Sequence, residues 1–269
     1  MSDNSLSRTS LSVVGLRTPD VAGAARFYER VVGMVAEPVG ADGAVRLGWG
    51  SGHHALELLP GETPGLDYVA LEVGDDGGPS AVAERLRAHG VAVDDLAADA
   101  FQVRDPDGNA VRLHGPVART GEHIADAGRR PIRVQHATLA TADMEPMVDF
   151  YVGLGFRITD RMAGGFTWLR STIEHHSIAI VDVGRSGGLD HYSYDLGSWE
   201  DFKTWADRLT DLGVVVQWGP GRHGPGNNLF LFFDDRADYE PRIWEAAPTT
   251  VNLWGGQGPS WRTVAEEAR

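Results

Sequence analysis

The sequence predicts an α+β protein built as two tandem modules, each a pair of βαβββ units, four units in all. Two observations predict it. First, the chain repeats itself. With Val13 set over His136, Asp20 falls on Asp143, Phe27-Tyr28 on Phe150-Tyr151, Leu66-Asp67 on Leu189-Asp190 and Gly90-Val91 on Gly213-Val214. With the offset one residue shorter, HHALELL from His53 lies on HHSIAIV from His175, which needs only a one-residue change in a loop. Second, strand-like and helix-like periodicities follow in the same order in both halves.

In the first module, residues 1–118, LSVVGLRT reads as a strand and DVAGAARFYERVVG as a helix with apolar residues three and four apart. β-type runs follow at 44–49 and 55–59. DYVALEV opens the second unit, PSAVAERLRAHG is a helix ending in glycine, and further strands run to VRLH, with the DPDGN turn at 105–109 between two of them. ARTGEHIADAGRRP holds Gly, Pro and charge and reads as the linker, 119–131. The second module, 132–248, repeats the order through IRVQHATLAT, MEPMVDFYVGLG, FTWLR and HSIAIVDV, then DHYSYDL, WEDFKTWADRLTDLG, VVVQW, NLFLFF and RIWEA. A Gly-rich, aromatic tail, 249–269, is expected either to lie over a cavity mouth as a lid or to pack on the protein or a neighbouring subunit.

Composition narrows the function. The 269 residues carry a formal charge of −14, and Lys203 is the only lysine, so the basic stripe of a nucleic-acid binder is missing. No apolar run approaches the roughly 20 residues that span a bilayer. MSDNSLSRTS has no apolar core, so no secretory leader is expected, and a cytoplasmic setting is. The absence of cysteine excludes disulfides, zinc thiolates and thiol nucleophiles.

Strand periodicity gathers polar groups on particular faces. His136 and Thr138 share one face of their strand, with Ala137 and Leu139 on the other. His191, Ser193 and Asp195 alternate with Tyr192 and Tyr194. Such polar faces suit an open cavity better than a sealed core.

The paired modules, the repeated Phe-Tyr pair and the DPDGN turn resemble the vicinal oxygen chelate superfamily, over roughly residues 11–246. The resemblance implies open, cup-shaped mixed sheets whose concave faces hold a metal or ligand. It also implies metal ligands on the first strand of a unit, the first strand of its partner and the last strand. Those positions carry His136, His191 and Glu245 in the second module, and Val13, Tyr68 and Arg112 in the first. Glu240 competes with Glu245 but precedes Pro241 in a loop, whereas Glu245 falls on the RIWE strand. Two imidazoles and a carboxylate that leave positions open suit non-haem Fe(II), with Mn(II) as the alternative, at a net charge near +1.

A silent first module beside a His-His-Glu second module resembles the type I extradiol ring-cleavage dioxygenases, which open a catechol-type aromatic ring with O2. That branch implies a proton-handling histidine at His176 and a hydrogen-bonding one at His223, within the loop GPGRHGPGNN at 219–228. Phe232 stands where the branch usually carries tyrosine, so the expected substrate pocket lacks that hydroxyl. Arg222 is expected either to meet a substrate carboxylate or to serve a surface or backbone-bonding role. Trp168, Trp199, Trp205, Trp218 and Trp244 are candidates for an aromatic wall or for core. The competing reading is a metal-free protein that sequesters an aromatic compound, similar to the bleomycin-resistance branch. The resemblance also implies a homo-oligomer.

Overall fold

The computed structural model describes residues 8–49, 53–74, 77–117 and 130–235, together with the strand Asn252–Trp254. Glu240, Trp244, Glu245, the expected RIWEA strand, most of the linker and the rest of the tail lie outside the described residues. The first module runs β1 (Ser10–Thr18), α1 (Val21–Phe27), β2 (Val35–Ala36), β3 (Val45–Gly48) and β4 (Leu56–Pro60), then β5 (Gly65–Glu72), α2 (Gly78–Ala88), β6 (Asp94–Ala97), β7 (Ala100–Arg104) and β8 (Ala110–His114). These are two βαβββ units in one eight-stranded sheet, ordered β2-β3-β4-β1-β5-β8-β7-β6. The β1–β4 and β5–β8 pairs are parallel and β1–β5 is antiparallel, so the sheet is mixed.

The second module repeats the plan: β9 (Arg133–Thr141), α3 (Met144–Gly153), β10 (Arg157–Met162), β11 (Phe166–Arg170), β12 (Ile178–Asp182), β13 (Leu189–Asp195), α4 (Trp199–Asp211), β14 (Val216–His223) and β15 (Leu229–Phe233). Among the described residues its strands form two sheets, β10-β11-β12-β9-β13 and β15-β14-β16, where β16 is Asn252–Trp254. β10 is an edge strand of exposed and half-buried residues, so no apolar run marks it in the sequence. No helix among the described residues is long and apolar enough to cross a membrane.

Two local readings of the sequence are corrected. The first helix does not stay α-helical through Gly33. Asp20 caps its start by accepting from Gly23 N–H at 2.8 Å, but residues 28–32 open into a π turn, and Gly33 at φ 72° ends it. Nor is the whole of 219–228 a loop. β14 runs on to His223, because register shifts against β15 absorb the Gly- and Pro-containing stretch without ending the pairing.

The core explains why these strands are apolar on alternate residues. Val14, Leu56, Val69 and Val111 in one module, and Ala137, Leu139, Ile178 and Ile180 in the other, are essentially fully buried. Trp205 and Leu209 of α4 are buried too, each contributing about 1.5–3 kcal/mol.

The modules are tied by a reciprocal contact that uses the repeated tyrosine. Tyr28 Oη donates to Asp235 Oδ2 at 2.5 Å, and Tyr151 Oη donates to Asp105 Oδ2 at 3.3 Å. Asp235 follows β15 and Asp105 follows β7, and each takes the tyrosine of the other module. Tyr194 Oη donates to Tyr192 Oη at 3.1 Å and Tyr192 to Tyr28 at 2.9 Å, extending the first contact into a chain. Asp105 is held independently by Asn109, through its backbone N–H at 2.9 Å and its Nδ2 at 2.8 Å. Asn109 in turn accepts from Gly188 N–H across the junction at 2.8 Å. Arg208 of α4 closes the far side on the carbonyls of Arg30 and Val31, at the end of the first helix. Tyr28→Phe breaks two hydrogen bonds of a buried group and is expected to cost about 1–3 kcal/mol. Tyr151→Phe breaks one long bond to a carboxylate that keeps other donors, and should cost about 0.5–1.5 kcal/mol. Urea midpoints of the two variants check the order.

Candidate metal centre and catalytic cavity

The β9–β13 ladder sets Ser193 against His136 and His191 against Thr138. Its register shifts make Gln135 the extra residue on β9 and Asp190 the extra residue on β13. A bulged residue leaves the two-residue alternation, so both side chains reach the histidine beside them. Gln135 Oε1 lies 2.6 Å from His136 Nδ1, and Asp190 Oδ2 lies 2.7 Å from His191 Nδ1. The Gln135 amide is turned that way because its nitrogen donates to the His176 carbonyl at 2.7 Å and to Glu174 at 3.3 Å.

These partners fix the tautomers. An amide oxygen and a carboxylate only accept, so both Nδ1 atoms carry the proton and both Nε2 atoms keep a lone pair. The two Nε2 atoms are 3.4 Å apart, and the Thr138 hydroxyl donates to that of His191 at 3.1 Å. Lone pairs facing across that gap repel each other. A transition-metal ion about 2.1 Å from each nitrogen, at roughly 90–109°, would hold them about 3.0–3.4 Å apart. The donor pair therefore fits a divalent metal. Burial, reinforced by His176, His191 and His223, pushes the His136 pKa well below its ordinary value and keeps the ring neutral, as ligation requires. Among the described residues no third His, Asp or Glu completes the set.

The other predicted residues fall around this pair. His136, His176, His191, His223 and Phe232 all line one cavity of about 1590 Å³, which continues toward Arg17 and Arg112 of the first module. The His176 ring centre is 4.3 Å from that of His136, and burial pushes its pKa down to about 3. Phe232 meets His191 edge-on at 5.2 Å and stacks on Trp218 at 5.0 Å; His223 stacks on Phe230 at 4.0 Å. Trp168 lines the cavity, Trp205 packs on Phe233, and Trp199 is half exposed at the start of α4. Arg222 is not in the lining; its Nη1 donates to the carbonyl and side-chain oxygens of Asn227 at 3.0 and 3.1 Å. β16 pairs with β14 at Arg222 and His223, so part of the tail runs beside the strand end that carries His223.

The same positions in the first module are filled differently. Tyr68 donates to the buried Glu57 at 2.5 Å, Arg112 lies 3.6 Å over the Tyr68 ring, and Arg46 pairs with Glu57 at 2.7 Å. In the second module the positions paired with Arg46 and Glu57 by the repeat are Trp168 and Ala179, neither of them charged. The bulges are nevertheless duplicated: Ser12 and Asp67 are the extra residues of the β1–β5 ladder, and they align with Gln135 and Asp190. Gln135 and Asp190 escape a reading of the sequence because strand alternation assigns them to the opposite face. The aligned Asp67–Asp190 pair was the signal available.

A family model described as the Glyoxalase/Bleomycin resistance protein/Dioxygenase superfamily matches residues 10–113 and 133–239. The chain is 26% identical over 292 residues to the iron-dependent extradiol dioxygenase of Rhodococcus jostii, covering 93% of this chain and 97% of the relative. It is 25% identical over 256 residues to the manganese-dependent 2,3-dihydroxybiphenyl 1,2-dioxygenase of Geobacillus genomosp. 3, covering 82% of this chain and 80% of the relative. Among solved structures, the Mn(II)-bound glyoxalase from Novosphingobium aromaticivorans superposes with a TM-score of 0.80 at 25% identity, over 94% of this chain and 92% of that one.

Two outcomes follow from the geometry. Asp190→Leu and Gln135→Leu remove the acceptors that set the tautomers, and each is expected to weaken divalent-metal affinity about 10–100-fold, measured by chelator competition. In the first module, burial and then the charges of His53, Arg46 and His114 push the His54 pKa down to about 4. The unfolded chain therefore binds the extra proton as pH falls from about 6.5 to about 4, and stability present above that window is lost through it. The loss is at most ~3 kcal/mol before solvent screening reduces it. His54→Gln should flatten that part of the urea-midpoint profile of the metal-free protein.

Proposed function

The chain belongs to the glyoxalase/bleomycin resistance protein/dioxygenase superfamily, and from that membership and the paired histidines we infer that it is a metal-dependent extradiol dioxygenase acting on a catechol-type aromatic substrate. One observation carries the reading: two imidazole Nε2 lone pairs held 3.4 Å apart, each fixed from behind by an acceptor on its Nδ1. His136 and His191 hold the metal, with Glu245 as the third donor in preference to Glu240. Fe(II), or Mn(II) in its place, supplies a centre that brings the two catechol oxygens and dioxygen together.

The chain's own residues then have separate work. His176, neutral and beside His136, takes the proton of a substrate hydroxyl and returns it as the ring opens. His223, oriented by its stack on Phe230, hydrogen-bonds an oxygen of the substrate. Phe232, Trp218 and Trp168 hold the aromatic ring and exclude water. Phe232 offers no hydroxyl, so hydrogen bonding in the pocket falls more heavily on the histidines. Arg222, outside the cavity lining and tied to Asn227, takes the backbone-bonding role rather than that of a substrate cation. Both atoms of O2 enter the product, a ring-opened semialdehyde or keto acid. A metal-free sequestering role leaves the facing lone pairs without purpose and is not favoured. A cytoplasmic homo-oligomer completes the proposal.

Anaerobic reconstitution with Fe(II) or Mn(II), followed by air and a panel of catechols, should give stoichiometric metal and a yellow ring-opened product. His191→Ala should lose both, and Glu245→Ala should lose metal where Glu240→Ala retains it. Tight aromatic binding without metal, or no product from any catechol, would overturn the assignment.

A further inference from the structure

His176 does not stand alone behind the cavity. Its Nδ1 lies 2.9 Å from Nδ1 of His175, and the other nitrogen of His175, Nε2, lies 2.8 Å from Asp160 Oδ2 on β10. The rings of the two histidines are perpendicular, with centres 5.1 Å apart, so one edge nitrogen meets the other. Asp160 is half exposed, His175 mostly covered and His176 buried, so the three groups step inward from the surface to the cavity.

We propose that Asp160 and His175 are positioning residues that set the tautomer of His176 and so present its Nε2 to the cavity as a proton acceptor. The direction of each hydrogen bond follows from the outer end. The Asp160 carboxylate accepts, so Nε2 of His175 bears the proton; neutral His175 then has a lone pair on Nδ1. The short Nδ1–Nδ1 contact requires one donor, and that donor is His176. With its proton committed to Nδ1, His176 keeps its lone pair on Nε2, the nitrogen turned away from His175. Among the described residues, His175 is the hydrogen-bond partner that holds the proton at Nδ1.

The turn after β14 holds His175 from the other side. Gly226 has φ 73°, and a Cβ there would stand 2.8 Å from His175 Nδ1. Glycine is therefore needed twice over, for its backbone conformation and for the close approach. Residues 223–226 thus touch both the cavity, through His223, and the pair that orients His176.

The inference rests on the role given to His176 above, but its first test needs neither metal nor turnover. In ¹⁵N-labelled, metal-free protein, long-range ¹H–¹⁵N spectra distinguish the protonated from the bare nitrogen of each neutral ring. Wild-type His176 should show Nδ1–H. Asp160→Ala, at a half-exposed position, and His175→Leu should shift it toward Nε2–H. His175→Gln, whose amide can accept from His176 and donate to Asp160, should restore the wild-type pattern. In metal-loaded enzyme the first two variants should lower kcat about tenfold or more with KM little changed, a part of the ~10²–10⁴ that a positioned base supplies. A wild-type His176 protonated on Nε2, or a tautomer unmoved by both variants, would overturn the proposal. Inactivity toward every catechol with the tautomer pattern as expected would overturn the dioxygenase reading instead.

Discussion

The contact on which the site depends is the antiparallel pairing of the first strands of the two units in a module. Ideal pairing would put Gln135 and Asp190 on the face away from His136 and His191. One extra residue in each strand breaks that alternation and turns a hydrogen-bond acceptor back onto each imidazole. The histidines are then held at both ends, one nitrogen on the protein and the other facing its counterpart. Because the bulges recur at Ser12 and Asp67, this feature of the backbone belongs to the repeated unit, whereas the paired histidines belong to one copy of it.

The second organising contact is the exchange of tyrosines for carboxylates across the junction. Tyr28 and Tyr151 come from the first helix of each module, and their partners follow β15 and β7. Both tyrosines are buried, and a buried hydroxyl without an acceptor would be costly, so each module favours the other in one particular orientation. Asp235 sits at the end of β15, the strand that also brings Phe230 and Phe232 to the cavity. The first module thereby helps fix one wall of the cavity in the second.

Much of this was legible in the sequence, for identifiable reasons. The duplication and the unit order follow from side-chain period and internal alignment, both of which survive as spacing, and the superfamily resemblance singles out His136 and His191. The open mixed sheets, the superfamily and the assignment to metal-dependent catechol cleavage agree with the comparisons. What spacing does not carry is departure from regular geometry. The π turn at Tyr28, the bulges at Gln135 and Asp190 and the extension of β14 through a Gly- and Pro-containing stretch each depend on tertiary pairing. His175 is a further case: its repeat partner His53 shows only that a doublet is inherited, and its role emerges only where β10 brings Asp160 to it.

The charged cluster in the first module has a consequence for descent. Glu57 there is neutralised by Arg46 and steadied by Tyr68 and Arg112. Histidine at Tyr68 would take a hydrogen-bond donor from that buried acid, and glutamate at Arg112 would set a second carboxylate near it, so either change alone would do harm before any benefit. The first module is therefore guarded against acquiring a centre one substitution at a time, and lineages descending from this chain can elaborate the second pocket far more readily than build its twin.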